Sequence, residues 1–284
     1  VSLAPSVGFA QYPENIGKLE NRGWELTLSA IPYRNVARQS YWTVTLNGSH
    51  NADKLLEISE AMRHINEVNA GNLKNAPLPR YEEGQSVNRI WVVRSLGIDP
   101  MTGNEVFLTR NGEKTFKWNS ADKVPVGDTT PKMNGTISSS VNWRDLSCTL
   151  GFIYKWGGIV YNQTLVDKIE NSNIAYNLDR RAAQDRWRKP GDVTKYKRID
   201  LNGSQTPASD RFIMKDNELR LASVNVGYRF KQADYKLLGR LNIDVLSLNF
   251  TTNDLLRLST VKMERGLGYP FSRSYTFTCS IIFK

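Results

Sequence analysis

Residues 217–230 read Asn217-Glu218-Leu219-Arg220-Leu221-Ala222-Ser223-Val224-Asn225-Val226-Gly227-Tyr228-Arg229-Phe230. From Ala222 onward every second residue is apolar: Ala222, Val224, Val226, Tyr228 and Phe230. The residues between them are Ser223, Asn225, Gly227 and Arg229. A β-strand sends successive side chains to opposite faces, so this run predicts a strand with one apolar and one polar face.

The same period recurs on both sides. Trp24, Leu26, Leu28 and Ala30 oppose Glu25, Thr27 and Ser29, and Trp42, Val44 and Leu46 oppose Thr43, Thr45 and Asn47. Cys148, Leu150, Phe152, Tyr154 and Trp156 form another apolar row, and Tyr275, Phe277, Cys279, Ile281 and Phe283 the last. Less regular runs lie at 133–143 and 239–250; in the second the apolar phase flips from Leu241, Ile243 and Val245 to Leu246, Leu248 and Phe250, which predicts a bulge. Antiparallel strands are therefore expected near 18–30, 40–51, 133–143, 147–157, 217–230, 239–249 and 273–283. Several exceed the roughly 5–6 residues of an ordinary strand and match the 9–11 residues of a tilted bilayer-crossing one.

The connections separate two readings of this pattern. Tight links (Arg144-Asp145-Leu146; Lys231 to Leu238) alternate with long polar stretches at 53 to about 85, about 157 to 216, and 251 to 272. Short turns on one side and long loops on the other are the layout of an outer-membrane barrel, and aromatics at strand ends (Trp24, Trp42, Trp143, Trp156, Tyr228, Phe283) fit its interface girdles. A soluble all-β binding module for carbohydrate is the alternative, because sandwiches also alternate. The stretch 54–66, with Leu55, Ile58, Met62 and Ile65 at spacings of three and four, reads as a short loop helix. The segment 86–117 reads as two strands about an Asp99-Pro100-Met101-Thr102-Gly103 turn, either a spanning pair or a hairpin outside the membrane.

Composition narrows the function. The 284 residues carry a formal net charge of +10, but basic and acidic residues are interleaved, even in the dense cluster from Arg180 to Arg198 that includes Arg186, Arg188 and Lys189. A solvated or partner-facing loop is expected there, and no nucleic-acid site. Mean hydropathy is -0.46, as unremarkable as an alternating barrel requires. Cys148 and Cys279 are expected as small strand residues and not as a disulfide. No metal motif is present, and His50 and His64 complete no catalytic arrangement with serines such as Ser139 and Ser140, so neither metal, cofactor nor enzyme activity is expected, and a hydrolase barrel is set aside.

Several stretches also resemble one family. Arg186-Trp187-Arg188-Lys189-Pro190-Gly191-Asp192-Val193-Thr194, then Ser209-Asp210-Arg211-Phe212, then the 217–230 strand are similar to successive motifs of the SusC/RagA class of TonB-dependent outer-membrane transporters. Asn15 to Leu26, the Gly97–Gly103 turn and Tyr269 to Phe277 match in the same order. Two places depart from the pattern: Asn249-Phe250-Thr251-Thr252-Asn253 stands where an Asn-Leu-Phe is common, and Lys284 follows Phe283.

This resemblance implies that residues 1–284 are the C-terminal part of a barrel: about seven to ten strands of a 22-stranded antiparallel transmembrane β-barrel with long extracellular loops, lacking the plug and the N-terminal strands. It implies import of a glycan or oligopeptide across the outer membrane of a Gram-negative bacterium. The implied partners are a SusD-like lipoprotein acting as a lid, TonB through the missing N-terminal part, the rest of the barrel and plug, and membrane lipid or lipopolysaccharide. Trp118 and Trp187 are candidate ligand contacts, although loop packing is the favoured explanation of such tryptophans. Arg186, Arg188 and Lys189 are candidate partner contacts, and Phe283 is implied as the terminal aromatic that the barrel-assembly machinery reads. Trp24, Leu26, Leu28, Leu150, Phe152, Val224, Val226, Phe277 and Ile281 are expected to face lipid. Thr27, Thr45, Thr149, Ser223, Asn225, Thr278 and Ser280 are expected to face the lumen.

Overall fold

The alternating runs form the strands of a computed structural model that describes residues 17–173, 175, 177–199, 205–262 and 271–284. The motif residues Asn15, Ile16, Tyr269 and Pro270 lie outside the described residues. In chain order the elements are β1 (Gly17–Asn35), β2 (Ser40–Ile58), helix α1 (Glu60–Gly71), β3 (Arg89–Ile98), β4 (Glu105–Leu108), β5 (Lys114–Thr115), β6 (Lys123–Asp128), β7 (Met133–Trp143), β8 (Leu146–Tyr161), the short helix α2 (Arg181–Gln184), β9 (Ile213–Lys231), helix α3 (Lys236–Arg240), β10 (Ile243–Ser259) and β11 (Tyr275–Phe283). Among the described residues no helix is long and apolar enough to cross a membrane, which leaves a strand-built crossing open.

Two compact units result. The sheet unit comprises Gly23–Asn51, Pro131–Gly157 and Asp216–Lys284. It carries the greater part of a seven-stranded sheet in the order β1-β2-β7-β8-β9-β10-β11, whose registered neighbours pair antiparallel. All seven expected strands are present, most of them longer than the periodicity indicates. The turn between β7 and β8 is tighter than expected: Leu146 already pairs with Trp143, and Arg144, at φ 56°, takes the left-handed conformation the reversal needs. Between β9 and β10 the helical turn α3 buries Leu238 and delays β10 to Ile243, so the expected start at 239 is corrected. The phase flip is a register shift between Ile243 and Val245 opposite β11. A second shift between Asn253 and Leu256, with Asp254 at φ 53°, lets β10 keep pairing with β9 as far as Ser259, well inside the expected loop.

The loop unit comprises Ala52–Thr130, Gly158–Lys215 and the described residues up to Arg22. It holds a four-stranded sheet ordered β5-β4-β3-β6. Ile90, Trp91, Val92 and Val93 on β3 are all buried in protein, so the segment 86–117 is a hairpin of this separate sheet and not a pair in the seven-stranded one. A second apolar cluster joins Val166, Ile169, Ala182, Tyr196 and Phe212. The helix expected over 54–66 begins at Glu60, capped by Ser59. Residues 54–58 stay extended because Leu55 exchanges backbone hydrogen bonds with Gly84 and Gln85, a long-range pairing.

Candidate functional site

Register places the polar residues of successive strands side by side. Thr45 pairs with Ser138 and Asn47 with Thr136; Ser140 pairs with Thr149; Asn225 pairs with Thr251, and Thr251 with Thr276. Side chains link along this row: Thr27 to Asn47 at 2.9 Å, Asn47 to Thr136 at 3.0 Å, Ser140 to Thr149 at 3.1 Å and Asn225 to Thr251 at 3.3 Å. This face offers hydroxyl and amide groups, the chemistry of a hydrated wall.

The opposite face is apolar over the same strands. Leu46 pairs with Ile137, and Ile137 with Phe152; Val226 pairs with Phe250, and Phe250 with Phe277. None of the nine residues expected to face lipid is buried, and Phe277 is 80% exposed. A soluble sandwich would cover such a face with a second sheet. The free thiols Cys148 and Cys279 are members of it. Aromatics mark its ends: Trp156 opposite Met133 at one end of β7, and Trp143 with the nearby Trp42 at the other. The 11 residues of β7 rise about 3.3 Å each. Tilted by about 45° they cover about 26 Å of height, which matches the roughly 25 Å apolar band of outer-membrane barrels.

The loop unit is organised by two buried arginines. Arg211 sits between two buried carboxylates, with Nη2 at 3.0 Å from Glu105 Oε2 and 2.5 Å from Glu170 Oε1, while Nη1 donates to the Lys195 carbonyl at 2.6 Å. Ser209 Oγ donates to Glu105 at 2.6 Å. Burial opposes the charge of the Arg211 guanidinium, but the two carboxylates outweigh it and hold the group above its ordinary range. Arg186 donates from Nε to the Ala182 carbonyl at 2.7 Å, from Nη1 to the Lys197 carbonyl at 2.9 Å, and from Nη2 to the carbonyls of Ile169 and Glu170. Burial lowers the Arg186 guanidinium from its usual value, and Glu170 offsets part of that. Burial raises the neighbouring Asp210 carboxyl, which accepts from the Ser95 N–H at 2.8 Å.

The candidate residues take different places around this network. Arg186 is buried, and the expectation of a surface contact is corrected: its five-donor fork closes a carbonyl cage that ties together the chain around 169, 182 and 197. Arg188 and Lys189 are exposed, and their backbone N–H groups donate to Asp192 Oδ2 at 3.1 and 3.0 Å. Trp187 Nε1 donates to the Pro100 carbonyl at 2.8 Å, and Gly191 N donates to the same carbonyl at 2.9 Å. The Pro190-Gly191-Asp192 loop thus docks on the turn at 97–103. Trp118 Nε1 donates to the Ala208 carbonyl at 3.1 Å. Phe283 is exposed at the end of β11, in register with Ile243. Glu105 and Glu170, which carry the network, give no sequence signal, whereas Arg186, Ser209 and Arg211 fall inside recognisable motifs. Ser139 accepts from Trp42 Nε1 at 2.9 Å, Ser140 faces Thr149, His50 contacts the Lys132 carbonyl and His64 faces Glu67, so the serines and histidines are distributed among unrelated contacts.

The docked turn makes its own prediction. Gly103 has φ +70°, and a Cβ there would stand 2.5 Å from the Trp187 ring. Gly103→Ala is expected to cost about 1–3 kcal/mol through left-handed strain and displacement of the indole. Faster hydrogen exchange over 186–198 would register it; unchanged exchange would remove this turn from the docking.

No family model matches the chain. It is 24% identical over 298 residues to TonB-dependent receptor P39 of Formosa agariphila, covering 90% of this chain and 28% of that one. It is 24% identical over 289 residues to TonB-dependent receptor SusC of Bacteroides thetaiotaomicron, covering 94% of this chain and 26% of that one. Among solved structures it superposes on the RagAB peptide transporter with a TM-score of 0.76 at 18% identity, over 99% of this chain and 31% of that one. The RagAB peptide importer in its closed-closed state gives 0.74 at 19% identity. These relatives are described as receptors and transporters, not as enzymes. The chain is similar in sequence to proteins named TonB-dependent receptors, SusC among them, and shares the β-sheet fold of the RagAB structures, spanning between about a quarter and a third of the length of the proteins it matches.

Proposed function

We propose that this chain forms part of the wall and the outer loops of a TonB-dependent outer-membrane importer, acting on a glycan or oligopeptide with a SusD-like surface lipoprotein as lid. The observation that carries the reading is the seven-stranded sheet with one polar and one apolar face, the apolar one uncovered and of bilayer height. The edge strand β11 adds support. An unpaired edge in lipid leaves backbone groups unsatisfied at several kcal/mol each, so the sheet requires further strands of the same protein to close it. The relatives' names support transport, and RagAB is described as a peptide transporter.

The test is made on the full-length protein. It should require detergent for extraction, and accumulation of fluorescent glycan or peptide libraries in cells should vanish when TonB is deleted. Extraction by buffer alone would favour the soluble carbohydrate-binding module, and TonB-independent accumulation would end the importer reading.

In this reading Arg188 and Lys189, both exposed, are the partner-facing cations of the loop at about 157 to 216. Reversing both to Glu is expected to weaken lid association by roughly three- to tenfold at low ionic strength and far less at high salt, because exposed charges are screened beyond about 10 Å at 0.1 M. Lid affinity unchanged at low salt would remove them from the interface.

A further inference from the structure

A cleft of about 550 Å³ opens in the loop unit between helix α1, the segment 79–83 and the start of β6. Its wall is prebuilt. Asn66 Nδ2 donates to the Tyr81 carbonyl at 2.7 Å while its Oδ1 accepts from Tyr81 N at 2.8 Å, and Asn69 Nδ2 donates to the Pro79 carbonyl at 2.8 Å. The volume lies in the range of small-molecule sites.

Three cations (Arg63, Arg80, Lys123) and three carboxylates (Glu67, Glu82, Glu83) line the cleft, so what sets Lys123 apart is its pairing and not the net charge. Arg80 forks onto Glu82 at 2.9 and 2.6 Å and lies over the Trp91 ring at 4.9 Å. Arg63 is within 4 Å of Glu60 and Glu83, and Glu67 faces His64. Lys123 lines the same cleft and is only 6% exposed, yet among the described residues no carboxylate lies at ion-pair distance from it. Its Nζ lies 5.5 Å from the centre of the Trp118 ring, a contact that recovers part of the lost hydration. Burial, and then the nearby Arg80, hold the Lys123 ammonium below its ordinary range. Lys123 Nζ keeps contact with solvent at the cleft, and a partly desolvated cation there can be met by a ligand's carboxylate.

We propose that this cleft binds a small ligand bearing a carboxylate, with the carboxylate docked on Lys123 Nζ and its uncharged part against Tyr81 and α1. An acidic sugar and an acidic peptide share that chemistry. The proposal concerns binding and does not depend on whether the chain belongs to an importer.

The full-length protein in detergent would be titrated with trigalacturonate beside maltotriose, and with N-acetylated, C-amidated Gly-Glu-Gly beside the same capped form of Gly-Gln-Gly, so that only the acidic probes carry a carboxylate. At least one acidic probe is expected to bind about tenfold tighter than its neutral counterpart, and the preference should shrink as salt rises from about 50 to about 500 mM. Preference for the sugar or for the peptide identifies the source. Lys123→Gln should abolish the preference without weakening the neutral probe, and Lys123→Arg should keep most of it. Should Lys123→Gln fail to fold, Arg63→Gln at the rim, whose side chain is 54% exposed, is expected to lower acidic-probe affinity about two- to fivefold. No acidic preference in the wild type, a preference that survives Lys123→Gln, or an Arg63→Gln variant of unchanged affinity would overturn the proposal.

Discussion

Replacing Arg211 with Met is expected to cost the loop unit about 3–5 kcal/mol, the cost of breaking a buried charge network from one side. The side chains of Glu105 and Glu170 are 5% and 0% exposed, and Arg211 is the cation between them. Removing it leaves two carboxylates facing each other in a medium that solvates neither. Strand β4, the turn ending at Glu170 and the Lys195 carbonyl all lose their common partner. Hydrogen exchange over 105–108, 165–170 and 195–198 in the full-length protein should accelerate by a factor of a hundred or more, as about 3 kcal/mol implies. Arg211→Lys should recover only part, because a single ammonium cannot reproduce the fork that spans both carboxylates and the carbonyl. Adding Glu105→Gln and Glu170→Gln to Arg211→Met should restore most of the protection, since neutral amides carry no buried charge. Protection at wild-type levels in the single variant would show that another group holds the loops.

Val224→Arg and Asn225→Arg are neighbours in sequence and should behave oppositely. Val224 pairs with Thr252 on the apolar face, and Asn225 pairs with Thr251 in the polar row. On a lipid-exposed face an arginine near mid-bilayer costs about 2–4 kcal/mol, falling toward zero at the interfaces. Val224 lies inside the band bounded by Tyr228 on the same strand, so the larger end of that range applies. On the polar face the guanidinium meets water, and the change forfeits little beyond the 3.3 Å contact of Asn225 with Thr251. Refolding of the full-length protein into lipid vesicles, followed by its resistance to unfolding in gel electrophoresis, would read the difference. The faces are reversed if Asn225→Arg is the variant that fails, and neither faces lipid if both insert normally.

These two sites also mark how far the sequence can be read. Strand existence and facing came from local alternation, which is a property of neighbouring residues. That is why seven strands and the phase flip near 244 are legible in the sequence, while the choice between a spanning pair and an outside hairpin for 86–117 is not. Strand ends were less visible. β2 and β10 continue past the last clean alternation because backbone partners distant in sequence extend them, the turn at Gly84 and Gln85 for β2 and strand β9 for β10. Trp118 and Trp187 were legible as loop aromatics, while the carbonyls that take their N–H groups lie about 90 residues away along the chain.

The sequence by itself determined the two-faced strands, the short-turn and long-loop layout, and the family likeness. All of these follow from residue order within windows of a few to a few tens of residues. Tertiary structure alone decided the fate of the charges. Arg186 and Arg188 stand two positions apart in one basic run, yet one is caged by four backbone carbonyls and the other is exposed. Arg211 found its carboxylates about 106 and 41 residues away, and Lys123 found none at ion-pair distance among the described residues. The physical reason is that the energy of a charge depends on the dielectric and the partners that folding brings to it, and no local pattern encodes either.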